Sequence, residues 1–330
     1  MDIVVSGMRP TGRLHIGHYF GAIRNWVKLQ EQYRCYFFVA DWHALTTHFE
    51  DTSHIKEYSR EMVLDWIASG IDLEKSVIFV QSLNPYHSEL FLLLSMITPV
   101  SWLERCPTYK EVKQEMFKEG KDLSNYGFLG YPVLMTADII LYDAKYVPVG
   151  IDQLPHIELS REVVRRFNFY FGENLFLEPE AYITESPKIP GTDGRKMSKS
   201  YNNAIWLHDD LKVVEKKILT MVTDTNRKRK IDTGDPDKCP VFDYHKVFST
   251  DEEKTFIVEG CTTAKIGCID CKKILLRHLI EFLNTFHAKR LIISEKYNNK
   301  DLYEILDHAQ NKAIEKAYNK INTIREALKF

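Results

Sequence analysis

The sequence predicts an α/β protein, a parallel sheet with helices on its faces that is followed by a helical second domain. In the first half, short β-branched or continuously apolar runs alternate with amphipathic stretches, which is typical of strands buried on both faces. After Asp209 the strand signals fade and helical periodicity remains. The length, 330 residues, is about twice that of a usual domain. We therefore expect one domain over residues 1–200 and an all-helical domain over residues 201–330.

The elements follow in order from the apolar spacing. Strands are expected over residues 2–6, 35–40 and 77–80, with helices between them over residues 16–27 and 55–66. A loop rich in proline and glycine occupies residues 186–200, and helices are expected over residues 212–221, 272–286 and 302–328. Ligands of such sheets bind at the carboxyl ends of the strands, so the functional site is expected there.

Composition and charge exclude several classes of protein. Apolar residues at 44% and charged residues at 27% are those of an ordinary globular chain, neither disordered nor collagen-like. The net charge is −2, so a nucleic acid would be bound through local patches. The longest mostly apolar stretch, residues 91–100, is too short to span a membrane, and the chain opens without a basic leader. A cytoplasmic protein with no membrane contact is expected.

Two motifs suggest a nucleotide site. After the first strand, His15-Ile16-Gly17-His18 opens a helix, where unpaired N–H groups suit a phosphate and two imidazoles can donate to phosphoryl oxygens. Gly17 leaves room for a flat base against the backbone. Far along the chain, Lys196-Met197-Ser198-Lys199-Ser200 ends the Pro/Gly loop, where paired lysines can close over a polyphosphate. Taken singly, either motif is also compatible with a solvated surface.

Together and in this order, the two motifs resemble the paired signatures of class I aminoacyl-tRNA synthetases. The resemblance implies a Rossmann-type domain that binds ATP with Mg²⁺ and forms an aminoacyl-adenylate. The catalytic residues that it implies are His15, His18, Lys110, Lys196 and Lys199. The ATP-binding residues are Arg9, Pro10, Thr11, Gly17, His18, Gly150, Ile151, Asp152, Ile189, Lys196, Met197, Ser198, Lys199 and Ser200. Arg9 and Ile151 depart from the family pattern, since many bacterial members carry glutamine and an acidic residue there.

A helix face points to the amino acid. Pro132 fits a first helical position, and Tyr131, Met135 and Asp138 then share one face at i, i+4 and i+7. Their neighbours are apolar, so Asp138 is expected in a buried wall where a carboxylate needs a partner. Either Asp138 pairs with a nearby lysine at the helix end, or it accepts a substrate N–H. A carboxylate only accepts and an indole only donates, so the second interpretation selects tryptophan.

Residues 40–46, 131–138 and 147–153 resemble motifs of the tryptophanyl-tRNA synthetases. The resemblance implies a tryptophan–tRNA ligase that acts on tRNA(Trp) as a homodimer. The residues implied to bind L-tryptophan are Val5, His43, Tyr131, Met135, Asp138, Val147, Val149 and Gln153. A tyrosine–tRNA ligase, which commonly carries glutamine at the position of Met135, is the second candidate. Two further classes fit parts of the sequence: an RNA-binding or redox-sensing protein without the chemistry, and a small nucleotidyltransferase.

Four cysteines form a separate group. Cys239, Cys261, Cys268 and Cys271 are separated by 21, 6 and 2 residues, which predicts a metal site in a cytosolic chain, although four incidental buried cysteines remain the alternative. Thiolates suit Zn²⁺ or an iron–sulfur cluster, and spacing alone does not separate them. The pattern is similar to that of a subset of tryptophanyl-tRNA synthetases with a [4Fe–4S] cluster, which makes the cluster the preferred hypothesis. The basic run at residues 226–230 is a candidate phosphate contact.

Overall fold

A five-stranded, entirely parallel sheet forms the centre of the protein. The structure, a computed structural model, describes residues 1–118, 120, 122–172, 174–183, 187, 189–199 and 201–329. The strand order is β3-β2-β1-β4-β5. The chain adds β2 and β3 on one side of β1, and then adds β4 and β5 on the other side of β1. This reversal places a switch point between β1 and β4. The strands are β1 (Ile3–Met8), β2 (Arg34–Val39), β3 (Ser76–Val80), β4 (Tyr146–Val149) and β5 (Glu180–Ile183).

The α/β fold predicted from the sequence is confirmed, and the three predicted strands lie within two residues of β1, β2 and β3. Pairing of β1 with β2 runs from Ile3↔Arg34 to Met8↔Val39. Alternate residues enter two apolar clusters, with Phe37 in one and Phe38 in the other, because successive side chains of a strand point to opposite faces. The predictions omitted β4 and β5, whose four residues each carry too short a pattern.

Helices cover the sheet and fill the second half of the chain. The predicted first helix has three consecutive segments, of which Tyr19–Ile23 is a π-helical turn. Within the described residues, no helix is long and apolar enough to cross a membrane. The helices are Ile16–His18, Tyr19–Ile23, Arg24–Leu29, Asp41–His48, Ile55–Ala68, Tyr86–Ser95, Val100–Glu104, Pro107–Lys118, Tyr126–Ile140, Leu154–Phe171, Leu211–Thr220, Pro240–Phe248, Asp251–Thr262, Cys268–Lys296 and Leu302–Leu328, with short 3₁₀ turns at Gln81–Leu83, Ile151–Gln153 and Pro236–Lys238.

The helix that contributes Asp138 begins earlier than expected. Its cap is Asn125, whose Oδ1 accepts a hydrogen bond from the backbone N–H of Phe128 at 2.8 Å, and the helix spans Tyr126–Ile140. The expectation that Pro132 occupies the first helical position is therefore wrong, since Pro132 lies inside the helix. Proline lacks the N–H that would bond the carbonyl four residues earlier, so one helical hydrogen bond is missing there.

The last helix returns to the sheet. Gln310 accepts a hydrogen bond from the backbone N–H of Val80 at 2.8 Å, so the Leu302–Leu328 helix covers the outer edge of β3. The apolar stripe of this helix, from Ala309 to Ile324, is buried in the same cluster as Phe38 of the sheet. The division at residue 200 stays a prediction, and this final helix packs against the first region rather than apart from it.

Candidate functional site

A cavity of about 500 Å³ opens at the carboxyl ends of β1 and β4, the switch point of the sheet. Arg9 and Gly150, two residues assigned to ATP from the sequence, also line this cavity. The cavity therefore brings together residues at the end of β1 and residues at the end of β4. All eight residues predicted to bind the amino acid line it, namely Val5, His43, Tyr131, Met135, Asp138, Val147, Val149 and Gln153.

Asp138 is a buried carboxylate with three hydrogen-bond donors around it. Oδ1 accepts from His87 Nδ1 at 2.7 Å and from Gln81 Nε2 at 2.7 Å, while Oδ2 accepts from His43 Nε2 at 2.8 Å. The alternative that Asp138 pairs with a nearby lysine is wrong, since its partners are histidine and glutamine. Burial disfavours the charged form, but the hydrogen bonds from His43 and His87 outweigh this effect and lower the pKa of Asp138. The side chain is therefore an ionised acceptor at neutral pH.

Tyr131 lines the cavity from the same helix as Asp138. Its hydroxyl lies 3.0 Å from His156 Nε2, and both residues line the cavity. Burial raises the pKa of Tyr131 and lowers that of His156 to about 4, so the pair is neutral at pH 7. The phenol proton can then be donated to the imidazole, which fixes the direction of the hydroxyl. His156 was not predicted from the sequence, because it lies just after the recognised segment at residues 147–153.

The two histidines after β1 are fixed by each other's backbone. His15 Nδ1 accepts from the backbone N–H of His18, and His18 Nδ1 accepts from the backbone N–H of His15, each at 3.2 Å. Their rings stack with centroids 3.6 Å apart. Burial lowers the pKa of His15 to about 4 and that of His18 to about 3, so both are neutral. Since each Nδ1 is an acceptor, each proton is on Nε2, where it can be donated to a ligand.

The lysine loop lies against this histidine turn. The Nζ of Lys199 is 3.5 Å from the point where a side chain at Gly12 would begin, and the Sδ of Met197 is 3.6 Å from the same point at Gly17. A side chain at Gly17 would also be 2.9 Å from His15 Nδ1, so only glycine fits under the stacked rings. Lys196 and Lys199 are exposed. The two motifs, about 180 residues apart in the chain, therefore share one site.

Asn203 holds the lysine loop in shape. Its Oδ1 accepts from the backbone N–H of Ser198 at 2.8 Å, and its Nδ2 donates to the carbonyl of Lys196 at 3.1 Å and to Asp193 Oδ1 at 2.7 Å. Asn203 is 2% exposed. The sequence analysis missed this residue because a single asparagine after a loop carries no distinctive pattern.

Several residues assigned from the sequence to catalysis or to ATP do not line the cavity. Lys110 is exposed on the Pro107–Lys118 helix and does not line the cavity, and Ile151 is exposed. Ile189 is buried in an apolar cluster that also contains Met197. Ser200 lies outside the described residues. The remaining three are within two residues, along the chain, of a residue that lines the cavity. Pro10 is buried, Thr11 donates its N–H to the carbonyl of Arg9 at 2.9 Å, and Asp152 accepts from Gln153 Nε2 at 2.8 Å.

The four cysteines of the helical region influence one another. Burial, and to a smaller extent the charges of Cys239, Cys261 and Cys268, raise the pKa of the Cys271 thiol to about 12, so the four thiols act on one another's charge. Among the described residues, no three or more Cys, His, Asp or Glu side chains are arranged to hold a metal ion. No disulfide joins any of the chain's six cysteines, all of which lie in the described ranges.

Arg227 is turned towards these cysteines. Its Nη1 donates to Cys261 Sγ at 3.7 Å and its Nη2 donates to the carbonyl of Ile266 at 2.7 Å. The guanidinium is therefore hydrogen-bonded inside the protein. The prediction that the basic run contacts a phosphate is wrong for Arg227. Lys228, Arg229 and Lys230 are exposed.

Comparisons with known proteins agree with this arrangement. The family described as tRNA synthetases class I (W and Y) matches residues 2–284. A tryptophan–tRNA ligase of Thermotoga maritima is 53% identical over 98% of both chains, and one of Aquifex aeolicus is 44% identical over 98% of this chain and 99% of the relative. The crystal structure of tryptophanyl-tRNA synthetase from Campylobacter jejuni with ADP and tryptophan is similar with a TM-score of 0.85, at 34% identity over 100% of both chains.

Proposed function

This chain belongs to the class I tRNA synthetases that serve tryptophan and tyrosine, and from that premise we propose how its site works. The protein is a tryptophan–tRNA ligase that activates L-tryptophan with ATP and transfers it to tRNA(Trp). The observation that carries the choice of amino acid is Asp138, an ionised, buried acceptor that lines the cavity. An indole N–H can donate to this acceptor in addition to its protein donors, whereas a phenylalanine side chain offers it nothing.

Activation begins with attack of the tryptophan carboxylate on the α-phosphorus of Mg-ATP, and pyrophosphate leaves. The Nε2–H groups of His15 and His18 donate to phosphoryl oxygens as negative charge builds up in the transition state. Lys196 and Lys199, on the loop that lies against the histidine turn, neutralise the departing pyrophosphate. In this proposal His43 and Gln153 contact the polar end of tryptophan, and Gly150 and Asp152 contact the ribose of ATP.

Transfer follows when the 2′-hydroxyl of the terminal adenosine of tRNA takes the acyl group and AMP leaves. The exposed residues Lys228, Arg229 and Lys230 form a basic patch in the helical region that suits the tRNA backbone. The enzyme works as a homodimer in the cytoplasm, with tRNA crossing from one catalytic domain to the helical domain of the partner. Exposed Leu92 and Met96, one helical turn apart, offer an apolar surface for that pairing.

The cysteine group holds a [4Fe–4S] cluster in this proposal, with Cys239, Cys261, Cys268 and Cys271 as its ligands. Sulfur is the soft ligand that such a cluster takes, and the hydrogen bond from Arg227 to Cys261 Sγ favours the thiolate against the burial that raises the pKa of this thiol. A side chain at Gly234 would lie 2.6 Å from Cys261 Sγ, so glycine leaves the room that a cluster needs. When bound, the cluster supplies structural order to this part of the helical region. Zn²⁺ in the same place is the alternative.

The experiment that tests the proposed activity is a single-turnover reaction with enzyme in excess over ATP labelled at the α-phosphate. With tryptophan and no tRNA, labelled aminoacyl-adenylate should accumulate, and addition of tRNA(Trp) should convert the label to AMP. With tyrosine, no adenylate should appear on the same time scale. An adenylate formed equally well from tyrosine would contradict the assignment.

A further inference from the structure

A chain of buried polar side chains stands behind Asp138, on the side away from the cavity. His87 Nδ1 lies 2.7 Å from Asp138 Oδ1, and His87 Nε2 lies 2.7 Å from the hydroxyl of Tyr142. Asn84 Nδ2 donates to the same hydroxyl at 3.0 Å. Asn84, His87 and Tyr142 are each 0% exposed, and none lines the cavity. They belong to none of the motifs found in the sequence.

The protons in this chain have one consistent direction. Because Asn84 donates to the Tyr142 oxygen, the phenol's own proton is available to His87 Nε2. Burial raises the pKa of Tyr142 well above its ordinary value, so that proton stays on the phenol. With Nε2 acting as acceptor, neutral His87 carries its proton on Nδ1 and donates it to Asp138 Oδ1. Every donor in the chain therefore points towards the carboxylate.

The donors around Asp138 distinguish its two oxygens. A carboxylate has about four acceptor positions. His87 takes one on Oδ1, Gln81 Nε2 contacts both oxygens at 2.7 and 2.9 Å, and His43 takes one on Oδ2. Of these three donors only His43 lines the cavity. Oδ2, which accepts from His43, is therefore the oxygen on the cavity side.

We propose that His87 is a positioning residue for tryptophan recognition, held by Tyr142 and Asn84 so that it fixes Asp138 Oδ1 and thereby keeps Oδ2 directed towards the indole N–H. This inference rests on the proposed function and adds to it the part of the protein that orients the acceptor. A carboxylate that rotates away loses the linear hydrogen bond to its substrate, and such misplacement costs about 10²-fold in rate. His87 touches no substrate and acts only through Asp138.

The test compares tryptophan with β-(3-benzothienyl)alanine, which has sulfur where tryptophan has N–H. The ratio of kcat/KM for the two in ATP–pyrophosphate exchange measures how well the enzyme reads the indole N–H, independently of overall folding yield. If the unchanged enzyme does not activate tryptophan, the proposed function fails. If it does, the ratio in variants of His87 tests the inference by itself.

Substitution of His87 by asparagine or by glutamine tests its two hydrogen bonds one at a time. In His87→Asn the amide lies near the former Nδ1 and retains a donor to Asp138, whereas in His87→Gln it lies near the former Nε2 and faces Tyr142. We expect His87→Gln to lower the ratio by about tenfold or more and His87→Asn to keep most of it. Thr136→Val is the control. Thr136 lies on the helix of Asp138, and the change removes its buried hydrogen bond to Ser160 without altering any contact of Asp138.

A role of His87 in packing alone predicts a different result. In that case both variants lower stability and leave the ratio at the wild-type value, as Thr136→Val does. An unchanged ratio in folded His87→Gln would therefore overturn the proposal. Should His87→Gln fail to fold, Tyr142→Phe retains the ring and removes the hydroxyl that fixes His87; a wild-type ratio in that variant would overturn the proposal equally.

Discussion

Arg290 and Asp65 form a buried ion pair between the two halves of the chain. Arg290 Nε donates to Asp65 Oδ1 at 2.8 Å, which joins the Cys268–Lys296 helix to the Ile55–Ala68 helix. The two residues are 6% and 1% exposed. His208 Nε2 lies 2.8 Å from the same carboxylate oxygen. This cluster fixes the helical region against the sheet domain.

Loss of one partner should destabilise the protein strongly. Arg290→Met leaves Asp65 buried without its cation, which costs about 3–5 kcal/mol of the free energy of unfolding. Asp65→Asn combined with Arg290→Met should lose less than the sum of the two single changes. Urea unfolding monitored by tryptophan fluorescence measures both quantities. The exposed pair Lys75–Glu31 is the control, because solvent screens it and Lys75→Met should leave the free energy of unfolding nearly unchanged. Equal losses at Arg290 and Lys75 would contradict the role of the buried pair.

Removal of the loop lysines should affect the rate of activation more than ATP binding. Lys196→Ala and Lys199→Ala should each lower kcat of tryptophan-dependent exchange by about 10²-fold or more, because these cations act on charge that develops as pyrophosphate leaves. Steady-state kinetics over a range of ATP concentrations measures kcat and KM separately. Lys216→Ala, an exposed lysine on the Leu211–Thr220 helix, should leave both unchanged. A higher KM for ATP with an unchanged kcat would show that the loop only binds ATP.

Buried His15 should make stability fall in mild acid. Its pKa in the folded protein is about 4, below the ordinary 6.5, so between those values the unfolded chain binds a proton that the folded chain does not. Its contribution is complete above pH 6.5 and is lost as the pH falls from there towards 4. His15→Asn keeps a good N-cap and removes the titration. From pH 7 to 5 the variant should lose about 2 kcal/mol less unfolding free energy than wild type. Parallel pH curves would contradict this.

The cysteine group should hold iron and sulfide. Protein purified without oxygen should contain about four iron and four sulfide per chain and be brown. Cys261→Ser should lose the metal and impair tRNA charging more than tryptophan-dependent exchange, since the group lies in the helical region. Cys35→Ser, in buried strand β2, should keep full metal content. One zinc per chain with no sulfide would establish the alternative, and an equal loss of both activities would tie the group to the active site.

The sequence predicted those parts of the site that lie on one element. Tyr131, Met135 and Asp138 share a face of one helix, and helical spacing alone places them together. Gln81 and His87 could not be predicted in the same way, because they reach Asp138 from other elements and no local pattern marks them. The bounds of the final helix were predicted correctly. Only the folded structure shows that Gln310 of this helix is hydrogen-bonded to the edge of β3.

The central claim, that Asp138 selects tryptophan, is tested most directly by ATP–pyrophosphate exchange with each of the twenty amino acids. Wild-type enzyme should prefer tryptophan over tyrosine and phenylalanine by about 10⁴ to 10⁵ in kcat/KM, because a site built around a substrate N–H rejects ligands that lack it. Asp138→Ala should lose most of that preference while Thr136→Val keeps it. Comparable exchange with tyrosine by the wild-type enzyme, or full selectivity in Asp138→Ala, would contradict the account.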